Sequence, residues 1–410
     1  MKVQTRRKLR NKITMITAIS SVTVLAACSS AGSGDTQSDS TSIRVADYYT
    51  DEPSKSIISE MLDRCGSDAG VTIEREAVPS GDYLSKVLQQ SSSKSLPDIQ
   101  MLDAQDLPAI AETGALSPLD EREVSTSTIG DSVLSLGKSD GELYGLAPTV
   151  GTIVMFTNSD MLEEAGVSIP ETWDDLKTAA AELTEGDRYG VAVTAKNTGE
   201  ATYAYLPLLW SNGGSEDALD SQEAQEALQF EVDLVEDGSA SSSVVQWGNS
   251  DVGDQFLNRN AAIAIMSATQ MSKLNDDPEL NYEITSIPVP ELGDDHVAPI
   301  GGEVWTLPRT DDEDRQKKAD EVLSCITSDE TQLSLAESRL VVPANPDLDE
   351  EYLEKFPDLG SYVETVRDGR SRTALLEAEW PKTNQAIWEA VQNAITGEKS
   401  VSDALSDAAK

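Results

Sequence analysis

The chain has 410 residues, with 73 Asp and Glu against 31 Lys and Arg and a formal net charge of −42. A partner made of phosphate backbones needs a basic face, so this balance argues against nucleic acid. One histidine, His296, and three cysteines leave zinc sites, Ser-His-Asp triads and disulfide scaffolds short of parts. A hydrophobic content of 39% in a varied composition points to a folded rather than a disordered chain.

The positive charge is unevenly spent. Lys2, Arg6, Arg7, Lys8, Arg10 and Lys12 precede an apolar run from Ile13 to Ala27. That run suits a secretory leader and is short of the roughly 20 residues of a spanning helix. It ends in Leu25-Ala26-Ala27-Cys28, which resembles a bacterial lipobox with Cys28 as the lipidated new N-terminus. Ordinary secretion with an incidental cysteine is the plainer alternative. Cutting after residue 27 removes all six basic residues and carries the formal charge from −42 to −48. Residues 28–42 then form a lipidated cysteine and a flexible Ser-, Gly- and Asp-rich tether reaching roughly 20 Å. Cys65 and Cys325 fall on predicted helices and either pair or are two buried small hydrophobes.

From Ile43 the pattern alternates. Ile43–Ala46 reads as a strand, and a helix carrying Ile57, Ile58, Met61, Leu62 and Cys65 follows, with Gly66 as its stop. Strands are expected over 71–74 and 97–102, with a helix capped by Asp82 between them. This order implies a parallel sheet with right-handed crossovers. Further on, strands are expected over 152–157, 189–194, 261–268, 282–285 and 304–307. Helices are expected over 159–165, from a Thr172/Asp175 capping box, and over 201–211, 221–236, 251–260 and 315–327. The chain beyond Glu350 reads as mostly helical. No tandem repeat is visible.

Catalytic signatures are largely missing. Gly137-Lys138-Ser139 resembles a phosphate loop, but Ser132 stands where its first Gly must be. The acidic run Asp311–Asp314 lacks the spacing of a calcium loop and reads as a solvated helix start. Carboxylate pairs suited to glycoside hydrolysis cannot be singled out among so many acids. What remains is the placement of aromatics, glycines and acids at strand ends, where open α/β sheets bind ligands. Tyr48 and Tyr49 follow the first strand, and Asp103 follows the third, where it either meets a ligand or caps the next helix. Gly302, Glu303 and Trp305 belong to a Gly-rich strand entry. Trp210, Trp247 and Trp380 lie near element ends; Trp210 is equally suited to core, and Trp173 and Trp388 read as core. An aromatic plate meets the C–H face of a sugar, and a carboxylate or an Arg such as Arg372 meets its hydroxyls. The plainer reading of Arg372 is that it neutralises surface acid.

Asp140-Gly141-Glu142-Leu143-Tyr144-Gly145-Leu146-Ala147-Pro148, running into Ile153–Asn158, resembles the crossover segment of the family 1 extracellular solute-binding proteins of ABC importers. Ala165-Gly166-Val167 through Leu176, Ile287-Pro288-Val289-Pro290, Gly301-Gly302, the helix from Lys318 and the stretch from Trp388 continue the resemblance in order. The resemblance implies an α/β fold, a two-lobe periplasmic-binding-protein-like clamp with crossing hinge strands. Lobe one would comprise 43–148 and 300–342, and lobe two 149–299 and 343–410. Crossings would fall near 148–151, 299–302 and 339–343. It further implies a carbohydrate ligand held by Asp103, Trp305, Arg372 and Trp380, without cofactor or catalysis. The partners would be the transmembrane subunits of an ABC permease and the membrane, reached through the anchor at Cys28 on the extracellular face; the protein would be a monomer. Two alternatives stay open, a lipid-anchored glycoside hydrolase and a binding protein for another polar solute.

Overall fold

Buried Ile43 and Val45 alternate with exposed Arg44 along the strand β1 (Ser42–Asp47), where the computed structural model begins; it describes residues 42–410. The leader, Cys28 and the tether to residue 41 lie outside the described residues. β2 (Thr72–Ala77) and β3 (Ile99–Asp103) both pair with β1 in parallel, the expected outcome of strand–helix–strand order. The intervening helix Ser54–Asp68 buries Ile58, Met61, Leu62 and Cys65, one face at helical spacing. Gly66 does not stop this helix, which runs on to Asp68. A Cβ there would sit 2.6 Å from Ile73 Cγ1, so Gly66 lets the helix lie close on β2.

β4 (Lys138–Ser139) and β5 (Glu142–Leu143) form a hairpin turning at Asp140 and Gly141, both at positive φ (51° and 77°), the geometry that Asp-Gly tolerates. β6 (Gly145–Leu146) follows, and the chain then leaves the first sheet through Ala147 and Pro148. The ten-residue β7 (Thr149–Asn158) is the spine of a second sheet. Its side chains alternate between two cores: Ile153 and Met155 pack on one side, Val154 and Phe156 on the other. β8 (Tyr189–Ala192), β9 (Ala261–Ser267), β10 (Tyr282–Thr285) and β11 (Pro299–Gly301) follow in this sheet, and β9, β10 and β11 pair antiparallel with β7.

After Gly302 the chain returns as β12 (Glu303–Thr306), inserted between β3 and β6. A third passage follows the helix Asp329–Arg339 and enters β13 (Val342–Pro343) on β7, and β14 (Arg370–Ser371) closes the second sheet beside β11. Among the described residues the sheet orders are therefore β2-β1-β3-β12-β6 and β14-β11-β7-β9-β8. The helices Trp380–Ile395 and Val401–Ala408 bury Ile387, Val391 and Leu405 against the second sheet's side of the molecule.

Local signals explain most boundaries. Thr172 Oγ1 accepts from Asp175 N at 3.2 Å and Asp175 Oδ2 accepts from Thr172 N at 3.1 Å, the capping box of the helix Trp173–Leu183. Asp312 caps the helix Glu313–Ile326, which places the acidic run at a helix start. Cys65 and Cys325 are disulfide-bonded with Cα atoms 5.5 Å apart, tying that helix to Ser54–Asp68 across 260 residues of sequence. No helix among the described residues is long and apolar enough to cross a membrane.

Candidate functional site

Three passages of chain between two sheets leave a cleft, and strand direction decides what lines it. β3 runs toward it and ends at Asp103; β9 runs toward it and ends at Ser267. β7 is antiparallel to β9, so its first residues, Thr149–Gly151, form the floor. The cavity has a volume of about 630 Å³, within the range of small-molecule sites. The first sheet's wall supplies Asp103, Gln105 and Glu303. The opposite wall is made by two helix starts, Thr198–Glu200 with Tyr203 and Asn249–Ser250, and by Thr269 and Gln270 after β9. Arg339, Gly302 and Arg372 complete it.

The polar groups are paired across this space. The Arg372 guanidinium lies 3.7 Å from Asp103 Oδ1 and donates to Gln105 Oε1 at 3.5 Å, both on the first wall. The same guanidinium stands over the Tyr203 ring of the second wall, 4.8 Å from its centroid. Arg372 therefore touches both lobes. Burial pushes the Asp103 carboxyl above its ordinary range, and the Arg372 charge only partly offsets it. Neighbouring Asp106 is pushed up to about 7, by burial first and then by the Asp103 charge. Burial also lifts the Tyr203 phenol to about 12.

A second network stands beside it. Arg339 reaches Glu303 at 3.4 Å and donates to Tyr49 Oη at 2.5 Å, while Tyr48 Oη donates to Glu303 at 3.1 Å. Burial alone would raise the Glu303 carboxyl. The Arg339 charge and hydrogen bonds from Tyr49, Arg339 and Tyr48 outweigh it and hold Glu303 below the usual carboxylate range. The two tyrosines are set by the turn after β1: buried Asp47 holds Arg75 through both oxygens, at 2.6 and 2.8 Å, and accepts from Tyr49 N.

Glycine matters here by leaving room. A Cβ on Gly301 would lie 3.2 Å from Arg372 Nη2 and 3.6 Å from Tyr203 Oη. A Cβ on Gly302 would lie 3.0 Å from the carbonyl oxygen of Thr149, where two passages cross.

The structure thus brings Asp103, Gly302, Glu303 and Arg372 to the cavity wall, with Tyr48 and Tyr49 behind Glu303. Trp247 is half-buried and packs against both hydrophobic cores, two residues before Asn249 of the wall. Three expectations are corrected. Trp305 is 2% exposed and lies in the core, paired with Met101 and Leu146 rather than offered to a ligand. Trp380 is 1% exposed among the helices of the second core. Trp210 is buried too, its Nε1 donating to Glu216 at 2.7 Å and its ring face covered by Arg370 at 4.0 Å. Gln105, Glu200, Tyr203, Asn249, Gln270 and Arg339 were not anticipated. Glu200, Asn249 and Gln270 carry a readable signal, a polar residue at a helix start or just past a strand.

Two lobes joined by three passages, with a polar cavity between them, define a clamp-type binding protein. The chain belongs to the bacterial extracellular solute-binding protein family, whose sequence profile matches residues 60–358. The maltooligosaccharide ABC transporter solute-binding lipoprotein of Streptococcus pneumoniae is 24% identical over 94% of this chain and 92% of its own length. The arabinooligosaccharide-binding protein of Halalkalibacterium halodurans is 32% identical over 36% of this chain and 35% of its own. Among solved structures, the cyclic alpha-maltosyl-1,6-maltose binding protein of Arthrobacter globiformis is 26% identical. It covers 90% of this chain and 96% of its own, with a TM-score of 0.78. The GacH receptor of Streptomyces glaucescens has a TM-score of 0.77 at 20% identity, covering 90% of this chain and 96% of its own, and shares the fold.

Proposed function

We propose that this protein is the sugar-capturing subunit of an ABC importer, a monomer held by lipid at Cys28 on the outer face of the cell membrane. It takes a mono- or oligosaccharide between its lobes and presents it to the membrane permease. The observation that carries this reading is the cavity wall, where carboxylates, guanidinium forks and amides converge from both lobes. Such groups bind neutral hydroxyls bidentately, and a ligand that touches both walls favours the closed form over the open one. The sugar ligands named for the Streptococcus and Arthrobacter relatives support the same class. The reading requires no chemical step, so the sugar leaves as it entered.

A thermal-shift screen against linear and cyclic gluco-oligosaccharides, pentose oligomers and monosaccharides tests it. A true ligand at a hundredfold excess over its Kd adds about 2.7 kcal/mol of stability, a clear rise in Tm. A rise with amino acids or peptides and none with any sugar would refute the sugar assignment.

A further inference from the structure

The helix Gly199–Ser211 presents two aromatic plates two turns apart, Tyr203 and Trp210. Each carries an arginine from one short segment: Arg372 stands over Tyr203 at 4.8 Å and Arg370 over Trp210 at 4.0 Å. Strand alternation puts both arginines on one side of the segment, while Ser371 and Thr373 are buried on the other. The two arginines differ in one respect. Arg372 opens onto the cavity, whereas Arg370 donates at 2.6 Å to Glu216, whose side chain is wholly buried. The same Glu216 oxygen accepts from Trp210 Nε1 at 2.7 Å. Glu216, Arg370 and Trp210 are not among the residues that line the cavity.

We infer that Glu216, Arg370 and Trp210 are positioning residues that fix the segment 370–372, so that Arg372 reaches across the cleft to Asp103 and Gln105. The inference rests on Arg372 taking part in solute capture. Glu216 joins the helix to the segment through two bonds to a single oxygen. Two residues along, the guanidinium of Arg372 stands over Tyr203 with its fork turned to Gln105 and Asp103. With the anchor loosened, Arg372 samples other directions and the ligand must order it on binding, which weakens affinity without removing any contact.

A double-mutant cycle on the purified protein tests this by calorimetry with the best sugar of the screen. Glu216→Gln is expected to raise Kd roughly tenfold in the native background and less than about twofold in an Arg372→Ala background, because coupled residues are non-additive. Arg370→Lys, which keeps the charge but not the stacked fork, is expected to follow Glu216→Gln. Equal losses in both backgrounds, or an unchanged Kd in the native one, would overturn the assignment. If Glu216→Gln fails to fold, Trp210→Phe runs the same cycle, since it keeps the plate under Arg370 and loses only the donor to Glu216. A native protein that binds no sugar sinks the sugar reading alone. The anchor is then judged by a crystal structure of Glu216→Gln: an Arg372 displaced from Tyr203 supports it, and an undisturbed one overturns it.

Discussion

Trp305→Ala is expected to unfold the first lobe at a lower denaturant concentration, with a stability loss of about 3–5 kcal/mol. Trp305 is 2% exposed, on β12 between β3 and β6, so truncation leaves a cavity in the middle of a sheet. The neighbours Met101 and Leu146 are each tied to β12 by the backbone ladder and cannot collapse fully into the space. A ring exposed in the cleft would behave oppositely, with affinity falling and stability hardly changing. Urea titration followed by circular dichroism, alongside sugar affinity at low denaturant, separates the two. A stable variant with lost affinity would return Trp305 to the binding surface.

Arg372→Ala is expected to be the most damaging single change to solute capture, costing about 2–3 kcal/mol, or roughly a 30- to 150-fold rise in Kd. The side chain is 13% exposed, and its guanidinium answers three groups at once, Asp103, Gln105 and the Tyr203 ring. Without it, Asp103 keeps its burial and loses the charge that offsets it, so its carboxyl moves further up. As pH is lowered, affinity in the variant is therefore expected to fall off at a higher pH than in the native protein. Stability changes less, because the segment 370–372 remains anchored through Glu216. Calorimetry at two pH values reads both effects, and a Kd within about twofold of native at each would remove Arg372 from the site.

The fold was legible where periodicity was long. Ser159–Ala165 and Tyr282–Thr285 fall where the sequence puts them, and the Thr172/Asp175 box is present as read. Two-residue strands such as β6, β13 and β14 leave no periodic trace, because tertiary pairing rather than local preference defines them. Helix stops were less certain: Gly66 carries a packing constraint, whereas Gly70 takes the positive φ after the helix. The pairing of Cys65 with Cys325 needed the positions of two distant helices.

In the site, direction was legible and depth was not. Glu303 and Trp305 share a face of β12, but Trp305 sits two residues, about 7 Å, further from the cleft and under the core. The aromatic residues therefore went mostly to packing, and the aromatic ring on the cavity wall, Tyr203, already carries Arg372. The cavity is lined by charged and amide side chains together with hydroxyl residues, glycines, Val150 and Val341. Scarcity of His and Cys had left aromatic and carboxylate side chains as the candidates; Asp103 and Glu303 line the cavity, whereas Trp210, Trp305 and Trp380 are buried in the cores. Arg339 was invisible because its role depends on a hinge passage meeting Glu303 and Tyr49 from far along the chain.

The most direct test of two-lobed capture is hydrogen–deuterium exchange of the purified protein with and without the best sugar of the screen. Protection is expected on both walls together, around Asp103–Asp106 on one lobe and around Thr198–Tyr203, Asn249–Ser250 and Ser267–Gln270 on the other. Protection confined to one lobe, or centred on a surface away from the cleft, would contradict it.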